Sequence, residues 1–171
     1  LYGPQMLDFL LLERFFDELP EDTLAPFERQ LTPRQRALRL ALNQQGGEAL
    51  RVQPEPLYYL LAGLQDYMEG RNTRAVERLT HACTLAASEG RVRIMLHARV
   101  FMGSCYCNLK QFAAMQEHYA VARRLAQTLG DRHTLRDMDY NTACTDLQLG
   151  RVEEAYRFFA AQPEPTAMDL H

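Results

Sequence analysis

No apolar run in the 171 residues approaches the ~20 that a bilayer-spanning helix requires, so a membrane helix is excluded. Neither sign of charge dominates. Against 22 acidic residues stand 19 basic ones, of which only Lys110 is lysine, and the formal charge of −3 gives no global field toward nucleic acid or an acidic membrane. Cysteines are scarce. Four of them, irregularly spaced and without a signal peptide ahead of them, are expected to be reduced thiols of a cytoplasmic protein rather than a disulfide framework. The chain also lacks a Gly-x-Ser-x-Gly elbow and a Walker-type loop, so no nucleophilic or nucleotide chemistry is expected. Zinc spacings of the Cys-x-x-Cys or His-x-x-x-His kind are missing too. Cys105 and Cys107, two apart on a helix, diverge by about 200°. With His81, Cys83, His97 and His118 they therefore read as ordinary thiols and imidazoles rather than a ligand set, and neither a metal nor a cofactor is expected.

What is present is globular composition, with 47% apolar and 24% charged residues. At this length folding hides roughly 70% of the extended chain's surface, enough for a core without staples. The most informative pattern is a beat of 20. Glycine stands at Gly70, Gly90, Gly130 and Gly150, and Lys110 fills the one vacancy. Between these marks apolar residues recur at three and four, as in Val76, Leu79, Ala82, Cys83 and Ala86, the stripe of an amphipathic helix. Each unit therefore reads as one helix and a stop, the glycine supplying the left-handed residue that ends it.

The units pair into a period of 40. Gly63, Gly103 and Ala143 align, and so do Leu79, Tyr119 and Phe159. A small residue on one helix and a large one on the next let two helices approach closely, which predicts an antiparallel hairpin repeated three times.

These residues resemble the tetratricopeptide repeat (TPR) family, particularly the roughly 40-residue variety of kinesin light chains, Rap-type regulators and maltose-regulator-like sensor arrays. The clearest text is Ala122 to Leu125, Leu129-Gly130-Asp131-Arg132, Asn141, Ala143 and Leu149-Gly150-Arg151-Val152-Glu153-Glu154-Ala155, and the resemblance spans residues 56 to 162. It implies an all-α, right-handed α-α superhelix of TPR-like hairpins, with protein or peptide binding as its function. In that family the first helix of each hairpin lines the concave surface. Here those helices begin near Leu57, Arg93 and Arg132, and they place Leu60, Leu64, Tyr67, Val100, Phe101, Ser104, Asn108, Tyr140, Asn141 and Cys144 in a peptide-binding groove. Asn141 matches an amide that family members use to hold a peptide backbone; Leu61 and Phe101 occupy its counterparts, so a multi-asparagine clamp is not expected. Leu60, Leu64, Val100 and Tyr140 likewise stand where a clamp for a chaperone's acidic terminus needs cations and amides.

Residues 1–55 do not follow the period and read as a pair of N-terminal capping helices, one over Met6 to Leu19 and one starting at Thr32-Pro33 and stopping at Gly46-Gly47. In the second of these, Leu38, Ala41 and Leu42 are expected to face the repeats. A tail of residues 163–171 follows the hairpins. Arg71, Arg74 and Arg78 share a helix face but are diluted by Glu69 and Glu77, so they read as solvated residues with local ion pairs. The expectation is a non-catalytic scaffold or adaptor with a protein or peptide ligand in its groove and no nucleic-acid or membrane contact by this segment. The alternative is the ligand- or peptide-sensing segment of a larger bacterial transcriptional regulator, and a chain that opens on Leu1 rather than Met leads us to expect further segments.

Overall fold

A computed structural model describes residues 26, 29–43 and 45–161. The expected helix over Met6–Leu19 and the tail 163–171 lie outside the described residues. Those residues form helices and turns, with no strand among them: α1 (Pro33–Leu42), α2 (Gly46–Val52), α3 (Pro56–Met68), α4 (Asn72–Ser88), α5 (Val92–Asn108), α6 (Phe112–Leu129), α7 (Arg132–Gln148) and α8 (Val152–Ala160).

The stops fall where the beat of 20 placed them. Gly70, Gly90, Gly130 and Gly150 have φ between 68° and 76°, and Lys110 adopts the same left-handed conformation at φ 60°. At each turn the amide of the following residue donates back to the carbonyl five residues earlier: Arg71 to Asp66, Arg91 to Ala86, Gln111 to Tyr106, Asp131 to Ala126 and Arg151 to Asp146, all at 2.8–2.9 Å. These bonds satisfy carbonyls that a helix end otherwise leaves orphaned and reverse the chain within three residues. Consecutive helices therefore pack side by side.

The small residues act as the 40-residue period predicts. A Cβ added to Gly63 would lie 2.8 Å from Leu79 Cγ, and one added to Gly103 would lie 2.3 Å from Tyr119 Cε1. Leu79 and Tyr119 thus sit directly on the backbone of the preceding helix. Two clusters grow around these contacts: Leu60, Ala75, Leu79, Ala82, Ala98 and Met102 in one, Leu96, Val100, Met115, Tyr119, Ala122 and Met138 in the next. Each helix packs on its sequence neighbour, and α1, α3, α5 and α7 also adjoin in series.

The N-terminal part departs from expectation at one point. Thr32 caps α1 as predicted, its hydroxyl accepting from the Gln35 amide while the Gln35 side chain accepts from the Thr32 amide. Gly46-Gly47, however, begins a helix instead of ending one. Gly46 is buried against α3, where a Cβ would lie 2.8 Å from Ala62 Cα, so the glycine is there for close approach and its sequence signal was mistaken for a stop. Ala37, Ala49 and Tyr58 form the core of this region, with Ala41 packed beside them; Leu38 is half-buried, and the side chain of Leu42 lies outside the described residues.

A second departure concerns charge. Asp66, in the last turn of α3, is fully buried, and Arg71 Nε and Nη2 approach its Oδ1 at 2.8 and 2.7 Å. Arg78 Nη1 stands 2.9 Å and Arg74 Nε 3.5 Å from its Oδ2, and Arg78 also donates to the Ala62 carbonyl at 3.2 Å. Arg71 pairs with Glu69 as well. Arg71 and Arg74 keep the exposure expected of them, but Arg78 is only 17% exposed, and all three converge on one buried carboxylate instead of pointing separately into water.

Lys110→Gly removes the β-carbon strain of a left-handed residue and is expected to raise unfolding stability by about 0.5–1 kcal/mol, after the greater freedom of unfolded glycine is subtracted. Gly103→Ala drives a methyl into the Tyr119 ring and is expected to lower it by about 1–3 kcal/mol. Urea unfolding followed by circular dichroism measures both; equal midpoints for Gly103→Ala and the parent would contradict the close approach.

Candidate functional site

The first helix of each hairpin contributes to one continuous face, because α5 adjoins α3 on one side and α7 on the other. Toward their C-terminal turns these helices leave a pocket of about 180 Å³, lined by Tyr67 of α3, Ser104, Cys107 and Asn108 of α5, Tyr119 of α6, and Asn141, Cys144, Thr145 and Gln148 of α7. Five of the expected groove residues meet here: Tyr67, Ser104, Asn108, Asn141 and Cys144.

A polar chain underlies the pocket. Ser104 Oγ donates to the Val100 carbonyl at 3.3 Å, so the Tyr119 hydroxyl, 3.1 Å away, donates to Ser104, and Asn141 Nδ2 donates to Tyr119 at 3.3 Å. Burial pushes the Tyr119 phenol above its ordinary range, against the opposing effect of Ser104 and Asn141. The phenol is therefore neutral at physiological pH and able to play both parts. Beside it, the Thr145 hydroxyl donates to the Asn141 carbonyl at 2.9 Å and stands 3.4 Å from Cys107 Sγ. These bonds pin Asn141 from its backbone and its side chain. Its carboxamide oxygen takes no hydrogen bond among the described residues.

Other expected residues are placed differently. Leu60 and Val100 are buried in the two core clusters and offer nothing to a partner, a correction to their assignment as groove residues. They share a helix face with the pocket residues but sit nearer the N-termini, in clusters that also hold Met102 and Met138 from neighbouring helices; spacing fixes the angle around a helix, not the level at which its neighbour closes over it. Leu64 is half-buried and does not line the pocket, and Phe101 packs its ring against Tyr67 with centroids 5.8 Å apart. Tyr140 is 53% exposed and turns toward α8, meeting Phe159 edge-on at 5.9 Å, so it lies beside the pocket without lining it. Tyr119, Cys107 and Thr145 were not foreseen as pocket residues. For Tyr119 the 40-residue period held the signal, since a large residue that lies on the small one of the preceding helix, Gly103, comes within reach of Ser104.

Among the described residues no three His, Cys, Asp or Glu side chains are grouped to hold a metal ion, and no helix is long and apolar enough to cross a membrane. No family model matches the chain, and neither a curated protein nor a solved structure gives a match.

The four thiols divide by environment. Burial raises Cys105 to about 11, whereas Cys107 and Cys144 are half-buried at the pocket. At pH 8 a thiol-directed reagent is therefore expected to modify Cys107 or Cys144 in the native protein while leaving Cys105 untouched until unfolding, because only a thiolate reacts. Peptide mapping after partial labelling checks the order, and early modification of Cys105 would contradict it.

Proposed function

We propose that the protein is a non-catalytic docking module of the tetratricopeptide kind, its hairpins stacked in a right-handed superhelix, which holds a peptide or an extended segment of a partner protein along α3, α5 and α7. The observation that carries this reading is the pocket on that face, where a pinned carboxamide at Asn141 stands among Tyr67, Ser104 and Asn108. A backbone amide of an extended peptide needs an acceptor held in place, and Asn141 Oδ1 is one; Tyr67 and Phe101 offer ring surface for an adjacent apolar side chain. The pocket admits one side chain at a time, so the partner is read residue by residue along the face rather than swallowed.

Binding is reversible and moderate. Apolar burial contributes about 25 cal/mol per Å², and the ordering of a flexible partner offsets part of it.

Selection from a random 12-residue peptide library on the whole protein provides ligands for the test. Asn141→Ala and Tyr67→Ala are each expected to weaken the selected peptides at least about tenfold, or about 1.4 kcal/mol, with helical circular dichroism unchanged, while Glu117→Ala on α6 leaves affinity as it is. Full affinity in both Asn141→Ala and Tyr67→Ala would remove this face from consideration.

A further inference from the structure

A second cavity, of about 230 Å³, lies where α2, the end of α3 and the start of α4 meet, and it shares no lining residue with the peptide pocket. Its charged lining is Arg51, Arg71, Arg74 and Arg78 with Asp66 and Glu48. Four guanidinium and two carboxylate groups line it, and Glu69, paired with Arg71, brings a third carboxylate, leaving a formal excess of one positive charge.

The repeat itself separates the part of this cluster that the fold uses from the part it does not. Forty residues on, Asp66 and Arg71 are replaced by Tyr106 and Gln111, and forty further the pair returns as Asp146 and Arg151, 3.4 Å apart across the same kind of turn. That pair belongs to the turn. Arg74 and Arg78 do not recur: their counterparts are Ala114 and His118, then Glu154 and Phe158. The hairpin thus forms without guanidinium groups at these two positions.

The surplus arginines also hold donors in reserve. A guanidinium has five N–H groups. Among the described residues Arg74 makes only the 3.5 Å approach to Asp66, and Arg51, on the short helix α2, pairs only with exposed Glu48. Arg78 spends Nη1 on Asp66 and Ala62, with Nη2 beside Gly47. Burial lowers the Arg78 proton affinity against the pull of Asp66, and the neighbouring Arg74, Arg71 and Arg51 lower it further.

We propose that this cleft binds a phosphate group, either free or esterified to a small molecule, between Arg51, Arg74 and Arg78. A phosphate carries three or more acceptor oxygens and nearly two negative charges, which suit the unused planar donors of three guanidinium groups; a carboxylate offers only two oxygens and one charge. The cavity is smaller than those that enclose drug-sized ligands, so it takes the phosphate and little else.

The test is titration calorimetry of the whole protein with inorganic phosphate and with methyl phosphate, at ionic strength held constant with sodium chloride. Saturable binding of at least one is expected, weakened at least about tenfold in each of Arg51→Gln and Arg74→Gln and lost in the double variant. The thermal midpoint without phosphate is expected to hold or rise in these variants, since they relieve repulsion, whereas cations needed only for folding would lower it. Tighter binding of inorganic phosphate assigns the free ion, and tighter binding of methyl phosphate assigns an ester. Heats no greater than those of sodium chloride, binding undiminished in the double variant, or a lowered midpoint would overturn the proposal.

Discussion

Five times among the described residues a residue with positive φ ends a helix, and the next amide reaches back to the carbonyl five residues before it. Everything else depends on that reversal. Because the turns are three residues or fewer and recur every 20, the four helices α4 to α7 are 17 or 18 residues long and lie against one another, and alternate helices come into contact. Lys110 shows how strong the constraint is: a residue with a β-carbon is held in the left-handed region because the helices on both sides require it there, and its Nζ donates to Gln148 at 3.1 Å.

Within each hairpin the partner of the turn is the small-to-large contact. Leu79 on Gly63 and Tyr119 on Gly103 set how closely two helices approach, and the third pair relaxes the rule. Ala143 replaces glycine, α8 is only nine residues long, and Phe159 is 37% exposed and leans on Tyr140. Apart from Tyr67, the pocket residues belong to the second and third hairpins, where the ring of Tyr119 bridges Ser104 and Asn141; Leu79, at the equivalent place in the first hairpin, has no hydroxyl with which to do this.

Much of this was legible in the sequence, and the reasons differ by feature. Left-handed turns need glycine or tolerate few substitutes, so Gly70, Gly90, Gly130 and Gly150 announced themselves, and Lys110 could be placed by interpolation. The Thr32-Pro33 cap was readable for the same local reason. Gly46 was not, because glycine serves close approach as well as reversal and the sequence does not say which. Leu60 and Val100 were misplaced because periodicity gives direction around a helix but not depth along it. Arg71, Arg74 and Arg78 were recognised as a face, but the neighbour that gathers them, Asp66, precedes them across a turn and declares its burial only once α3 packs against α4.

The pattern of contacts between near neighbours in sequence has a kinetic corollary. Because the described helices pack chiefly on near neighbours in sequence, little loop-closure entropy stands in the way of their assembly, and folding can start in any hairpin and spread like a zipper. Opening runs in reverse from the edges. The nine-residue α8, with Val152 61% and Tyr156 70% exposed, is expected to fray ahead of the hairpin centred on Gly103 and Tyr119.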